Sequence, residues 1–260
     1  KFKMYKQYKK TRKKSKLKKS IAPALLLSGM LLLLTGCSHV TSEMKEGREN
    51  GIALMESGDY EGAVAEFDGL IDQTTRVTSF EIDVLKYRGE AEFMLGDYGA
   101  AAYTYDTLAK VDQPRAEYYY LGAVSLANSG DADGARNRLE SGTSADAKHE
   151  AAGYAEAMEA LGAAYMTAGD ETKADEIYQK LVEEGLSSTE VYNRWMMAAM
   201  EKGDYEEALS HAEVGLALSD DRAKKELAFN QAVCYEYLQQ YEKALELFRS
   251  YEEQYGQDEK

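Results

Sequence analysis

Between residues 44 and 256, apolar and small side chains recur at helical spacing in paired stretches, each pair joined by a short polar turn. Five of the turns carry Gly-Asp: Gly58-Asp59, Gly96-Asp97, Gly130-Asp131, Gly169-Asp170 and Gly203-Asp204. An Ala follows each Gly by five residues (Ala63, Ala101, Ala135, Ala174 and Ala208), and Ala244 holds the same place after Gln239-Gln240. The Ala-to-Ala spacings are 38, 34, 39, 34 and 36 residues, a phase that scattered Gly-Asp pairs would not keep. Each unit therefore reads as two helices. The glycine supplies the left-handed residue that ends the first, and the aspartate caps the free N–H groups that start the second.

The side chains within a unit predict how the two helices meet. Seven residues before the turn stands a small residue in Gly51, Gly89, Ala123 and Gly162, and Ala232 is its counterpart in the last unit. These are expected to face the small Ala of the second helix and let the backbones approach. Four residues after the Ala comes a large side chain in Phe67, Tyr105, Leu139, Tyr178 and Phe248. That spacing puts both on one buried helix face. The fifth unit reverses the sizes, with Met196 at the small place and Ala212 at the large one. Either the swap conserves volume or the unit packs loosely. The spacings of 38 and 39 place extra residues near 72–81 and 142–154, lengthening a helix or a loop.

This pattern resembles the tetratricopeptide repeat family. The fourth unit carries it most fully: Met158, Leu161-Gly162 and Tyr165, then Ala174 and Tyr178, with Met for the usual Trp and Tyr for Phe. The first unit has Gly51, Leu54, Gly58-Asp59-Tyr60, Ala63 and Phe67; the second has Gly89, Gly96-Asp97-Tyr98, Ala101 and Tyr105, with Pro114 near the family's terminal proline. The resemblance implies an all-α fold, an α-solenoid of about six helix hairpins in a curved right-handed superhelix. Its repeats fall at about 44–77, 82–115, 116–149, 155–188, 189–222 and 225–256, with a tail at 257–260. Most of the 20 tyrosines then become core aromatics (Tyr60, Tyr98, Tyr105, Tyr165, Tyr178, Tyr205 and Tyr241). Tyr118-Tyr119-Tyr120 is different, because three consecutive residues cannot share one helix face. The second helix of the last repeat leaves Leu247, Phe248, Tyr251 and Tyr255 to be covered by a second copy, by a partner, or by nothing beyond the polarity of Glu242, Glu246, Glu252 and Glu253.

Residues 1–36 follow another logic. Eleven of the first twenty are Lys or Arg, no Asp or Glu occurs before residue 37, and an apolar run of fourteen residues extends from Ile21 to Leu34. A basic region, a short apolar run and a small-residue exit form a secretory leader, and the run is short of the roughly 20 residues a spanning helix needs. The exit, Leu34-Thr35-Gly36-Cys37, resembles the lipobox of bacterial lipoproteins. The alternative is an ordinary cleavage site with an incidental cysteine. The resemblance implies a diacylglyceryl group on Cys37, cleavage before it, and a tether over 37–43. Two acyl chains hold where one is marginal, at about 0.8 kcal/mol per buried CH₂. The expected location is the outer face of a bacterial cell membrane, a Lys-rich leader favouring a Gram-positive cell.

The net charge of −15 hides an asymmetry: beyond residue 36 there are 20 basic against 46 acidic residues, a net −26. Such a body excludes nucleic acid, whose phosphates need clustered Lys and Arg. It serves solubility or a preference for basic partners. His39, His149 and His211 share no metal-ligand spacing with one another or with a cysteine, and no phosphate-binding loop or nucleophile turn occurs. No cofactor, metal or catalytic residue is expected. Cys234, in an apolar run, is a small core residue or a reactive thiol. With no sign of an enzyme, the expected function is a membrane-anchored scaffold or adaptor that binds protein. An assembly factor for outer-membrane proteins or pili is the alternative.

In the tetratricopeptide family the first helices line a groove that holds a peptide or partner helix. The resemblance transfers that face to Arg48, Ile52 and Met55; Lys86, Glu90 and Phe93; Tyr120, Val124 and Asn128; Glu159, Ala163 and Met166; Asn193, Met197 and Met200; and Phe229, Val233 and Glu236. Met adapts to varied apolar surfaces, so the lining suits a protein or peptide with apolar anchors and some basic residues.

Overall fold

The computed structural model describes residues 40–72, 77–113 and 115–256. The leader, Cys37, Pro114 and the tail at 257–260 lie outside the described residues. Among those described there are twelve α-helices and no strand. They are α1 (Ser42–Ser57), α2 (Tyr60–Asp72), α3 (Ser79–Leu95), α4 (Tyr98–Val111), α5 (Ala116–Ser129), α6 (Ala132–Ala145), α7 (Tyr154–Thr167), α8 (Glu171–Glu183), α9 (Thr189–Lys202), α10 (Tyr205–Ala217), α11 (Lys224–Tyr237) and α12 (Tyr241–Tyr255). The chain divides into two compact units between Ala157 and Met158. The first holds the hairpins α1/α2, α3/α4 and α5/α6 with the start of α7. The second holds the rest of α7 with α8, then α9/α10 and α11/α12.

The turns form as the Gly-Asp pairs require. Gly58, Gly96, Gly130, Gly169 and Gly203 all take φ between 79° and 89°, a region costly for any residue with a Cβ. Asp97, Asp131, Asp170 and Asp204 each cap the following helix by accepting a backbone N–H three residues on, and Asp59 accepts from Gly62 N–H at 2.9 Å. Each such cap stabilises its helix by about 1 kcal/mol. The sixth turn keeps the geometry without the residues: Gln239 takes φ 60°, and Gln240 makes no side-chain cap.

In three hairpins the small residue of the first helix lies against the ring of the second helix. A Cβ at Gly51 would lie 2.4 Å from Phe67 Cε1, one at Gly89 3.1 Å from Tyr105 Cε1, and one at Gly162 2.2 Å from Tyr178 Cε1. The third hairpin inverts the arrangement: the ring is Tyr120 on α5, and Gly142 on α6 is the residue whose Cβ would lie 2.4 Å from it. In the fifth hairpin Met196 and Ala212 are both fully buried in one cluster with Leu227 and Cys234, so the size reversal fills the same space.

The longer first spacing goes into α3, at 17 residues the longest described helix. Thr78 caps it reciprocally with Glu81, whose Oε2 accepts the Thr78 N–H at 2.7 Å. The longer second spacing goes into the loop after α6. There Asp146 accepts the N–H groups of Glu150 and Ala151 at 3.1 and 2.9 Å, and His149 stacks on Tyr154 at 4.1 Å between centroids. Tyr118 and Tyr120 point inward while Tyr119 is half-buried. Tyr105, Tyr165 and Tyr178 are core residues as expected, but Tyr241 is 63% exposed, because no described element packs on its side of α12.

Candidate functional site

The face transferred to the first helices takes a different form in each unit. In the first unit its charges are satisfied internally. Arg48 Nη1 donates to Asp83 Oδ2 at 2.9 Å, joining α1 to α3, and its other nitrogen pairs with Glu49. Lys86 lies 3.7 Å from Asp112 and 5.7 Å from the centre of the Tyr118 ring. Burial pushes the Asp112 carboxyl up, but the Tyr118 hydroxyl, the Gln113 N–H and Lys86 outweigh it and hold it below the usual carboxylate range. Glu90 and Phe93 are half-buried, and Phe93 packs on Tyr98 at 5.2 Å. Asn128 is exposed, with its amide turned back to donate to the Val124 carbonyl at 2.7 Å.

Several positions assigned to this face are interior. Met55 belongs to the core cluster with Phe67 and Leu70, and Ile52 packs half-buried against it. Tyr120 is fully buried and Val124 nearly so. The Tyr120 ring rests on Tyr154 at 5.6 Å and its hydroxyl donates to Asp146 Oδ2 at 3.2 Å. Met55 and Tyr120 therefore fill core and do not line an open surface.

In the second unit the same face combines open apolar side chains with a polar frame. Met197 on α9 is 47% exposed and Phe229 on α11 43%. Beneath them Asn193, expected on the open face, is buried; half-buried Asn230 donates from Nδ2 to Asn193 Oδ1 at 3.5 Å, and Asn193 Nδ2 lies 3.9 Å from Met197 Sδ. Met200 packs on the core beneath, Met166, Ala163 and Val233 are half-buried, and Glu236 is exposed. Phe229 is held edge-on by Phe248 and Tyr251 at 5.7 and 5.4 Å.

Glu159 is held by a residue that no sequence pattern marks. Arg222, just before α11, donates from both terminal nitrogens to Glu159 at 2.8 and 2.9 Å and from Nε to Asp220 at 3.0 Å. Asp220 also accepts the Thr189 hydroxyl at 3.1 Å. This bridges α7 to the starts of α9 and α11. Hydrogen bonding to Glu159 raises the Arg222 pKa further. No local signal reveals a pair separated by 63 residues.

Cys234 and His211 are drawn into the packing of the second unit. Cys234 is fully buried, and burial pushes its thiol up to about 11. His211 stacks on Trp195 at 5.3 Å, and burial lowers its pKa despite Glu207. Among the described residues no group of three or more His, Cys, Asp or Glu is placed to hold a metal ion, and no helix is long and apolar enough to cross a membrane.

Successive antiparallel hairpins, most of them closed by a small residue against a ring, define a helical-repeat protein that presents rows of side chains from its first helices. Residues 48–117 and 194–259 match one family profile described as tetratricopeptide repeat, and residues 156–184 match a second of the same description. The chain belongs to the tetratricopeptide repeat family. A protein-interaction scaffold is the functional class this family membership supports. No curated protein sequence matches the chain. Among solved structures it is similar to the apo quorum sensor NprR from B. thuringiensis, with TM-score 0.62 and 15% identity over 85% of this chain and 68% of that one. It is similar to PilW, a widely conserved type IV pilus biogenesis factor, with TM-score 0.58 and 12% identity over 82% and 94%. A tetratricopeptide repeat protein from Parabacteroides merdae gives TM-score 0.57 and 14% identity over 81% and 79%. At these identities the likeness is one of fold alone.

Proposed function

We propose that this chain is a lipid-anchored adaptor at the outer face of a bacterial cell membrane, and that it holds a protein partner on the first-helix face of its second unit. The observation that carries the binding reading is the exposure of Met197 and Phe229 around the Asn193–Asn230 amides. An adaptable apolar anchor, an aromatic anchor and fixed polar groups between them are what a peptide or helix needs for affinity and orientation. The net charge of −26 beyond residue 36 supports a partner with Lys or Arg beside its apolar anchors, and steers such a partner inward at low salt. The anchor reading rests on Leu34-Thr35-Gly36-Cys37 at the end of a Lys-led apolar run.

Two measurements test the two halves. Labelled fatty acid should enter the wild-type protein in cells and not the Cys37→Ser variant, which should leave the membrane fraction; membrane retention of that variant overturns the anchor. Capture from detergent-solubilised cells should recover one partner in defined ratio, lost with Met197→Glu and Phe229→Glu while circular dichroism stays unchanged. Recovery undiminished by both variants overturns the face. Capture of a pilus subunit or an outer-membrane insertase would favour the assembly-factor reading.

A further inference from the structure

Within each unit, a second helix is covered by the first helix of the next hairpin. Twelve residues before each turn, the covering helix carries an apolar side chain: Val84, Tyr118 and Leu227 all enter the core cluster of the hairpin before them. On α10 the stripe Tyr205, Leu209, Ala212 and Leu216 is closed in this way by Leu227, and Tyr205 stacks on Tyr237 at 4.7 Å with the rings 8° apart. The same stripe on α12 is Tyr241, Leu245, Phe248 and Glu252. Phe248 is half-buried against Phe229 of α11, but no described element covers the rest: Tyr241 is 63% exposed and Leu245 51%, and Glu252 is exposed as well. Where α10 carries Leu216, α12 carries a carboxylate.

A second copy of this chain docking head to tail does not fit this stripe. Its first helix would have to dock as α11 does, and the place of Leu227 is taken on α1 by Glu46, with Glu49 and Asn50 on the same side, all exposed. That side is acidic and would meet Glu252. Helix α1 thus carries polar residues where α12 presents an apolar stripe with an acid at one end.

We propose that α12 docks an amphipathic helix from a different protein, one whose leucine and aromatic residues cover Tyr241, Leu245 and Phe248 and whose Lys or Arg meets Glu252. The helix takes the place on α12 that α11 takes on α10. This surface is distinct from the Met197 side of the second unit, and failure here leaves capture through Met197 unaffected.

The test uses the chain's own covering helix as probe. A fluorescent peptide of residues 222–239 with Cys234→Ser carries Lys224 and Lys225 in the turn expected beside Glu252. Titrated into the protein at low salt, it should bind saturably, and a photoreactive group on it should label residues 241–255. Leu245→Glu, at an exposed site that spares the core, should weaken binding tenfold or more, the effect of removing a central apolar anchor. Glu252→Lys should weaken it too, and a peptide with both lysines changed to Glu should then bind Glu252→Lys better than wild type. Labelling confined to α7, α9 or α11, or affinity unmoved by Leu245→Glu, overturns the proposal. Dimerisation of the full chain that Leu245→Glu abolishes overturns it as well, by assigning the stripe to a second copy.

Discussion

Replacing Gly162 by Ala separates the packing argument from ordinary helix propensity. Inside a helix the change should stabilise by roughly 0.5–1 kcal/mol, because Ala has less chain entropy to lose. At Gly162 the new Cβ would lie 2.2, 2.7 and 2.8 Å from three ring carbons of Tyr178, and that ring is fully buried with Trp195 edge-on at 5.6 Å. It cannot swing away, so α7 and α8 must separate. With the Cβ only 2.2 Å from a ring carbon, overpacking falls in the upper part of its usual range, about 2–3 kcal/mol, leaving a net loss of about 1–2 kcal/mol after the propensity gain. Gly69 on α2 is the control, since a Cβ there meets nothing within 4 Å and the same substitution should stabilise the first unit, read by circular dichroism. Trp195 is the sole tryptophan and touches Tyr178, so its fluorescence in urea reads the second unit directly. With a slope of about 2 kcal/mol per molar, Gly162→Ala should lower the midpoint by about 0.5–1 M. Adding Tyr178→Leu should cost less than the two single losses combined, because the clash is gone. A Gly162→Ala protein as stable as wild type, or a strictly additive double variant, refutes the close approach as the feature that sets hairpin spacing.

Three further outcomes follow from the same structure. Gln239→Gly with Gln240→Asp restores the missing turn residues and should stabilise the second unit by about 1–2 kcal/mol by Trp195 fluorescence, from relief of a left-handed Gln and a new cap. Glu92 is buried, and burial raises its carboxyl pKa above the ordinary value despite the Thr104 hydroxyl and Arg88. The folded state thus holds this proton more tightly than the unfolded chain, so Glu92's contribution is fully present below about pH 4.3 and is lost as pH rises through the raised value. On going from pH 7 to pH 5, urea unfolding followed by circular dichroism should show wild type gaining more stability than Glu92→Gln. Asp112 and Asp146, both held low, act only below that window. In a Cys37→Ser protein, Cys234 should react with a thiol reagent only as fast as the second unit opens, its thiol being buried and pushed up to about 11; fast labelling under native conditions contradicts its placement.

The repeat phase was legible because its carriers act locally. A glycine at positive φ and an aspartate accepting an N–H three residues on need only their own neighbours, so Gly-Asp located five of the turns. The identity of the packing partner was less legible. Gly51, Gly89 and Gly162 signalled close approach, but helical phase alone did not show that the approaching group is a ring four residues beyond the Ala. Tyr120 against Gly142 was hidden because the ring and the glycine had exchanged helices. On the first-helix face, spacing put Met55 and Met197 on equal terms. Only the packing of the neighbouring hairpin buries the first and leaves the second open. Arg222 holding Glu159 depends on three helices arriving together and has no signature in any of them.

Whether the first-helix face of the second unit carries the partner is tested most directly by photo-crosslinking in living cells. A photoreactive residue placed at Met197 should label one partner protein strongly, and the same residue at the exposed second-helix position Glu206 should label it weakly or not at all. Equal labelling from the two positions, or none from Met197 in cells that express the folded, membrane-bound protein, would contradict the account.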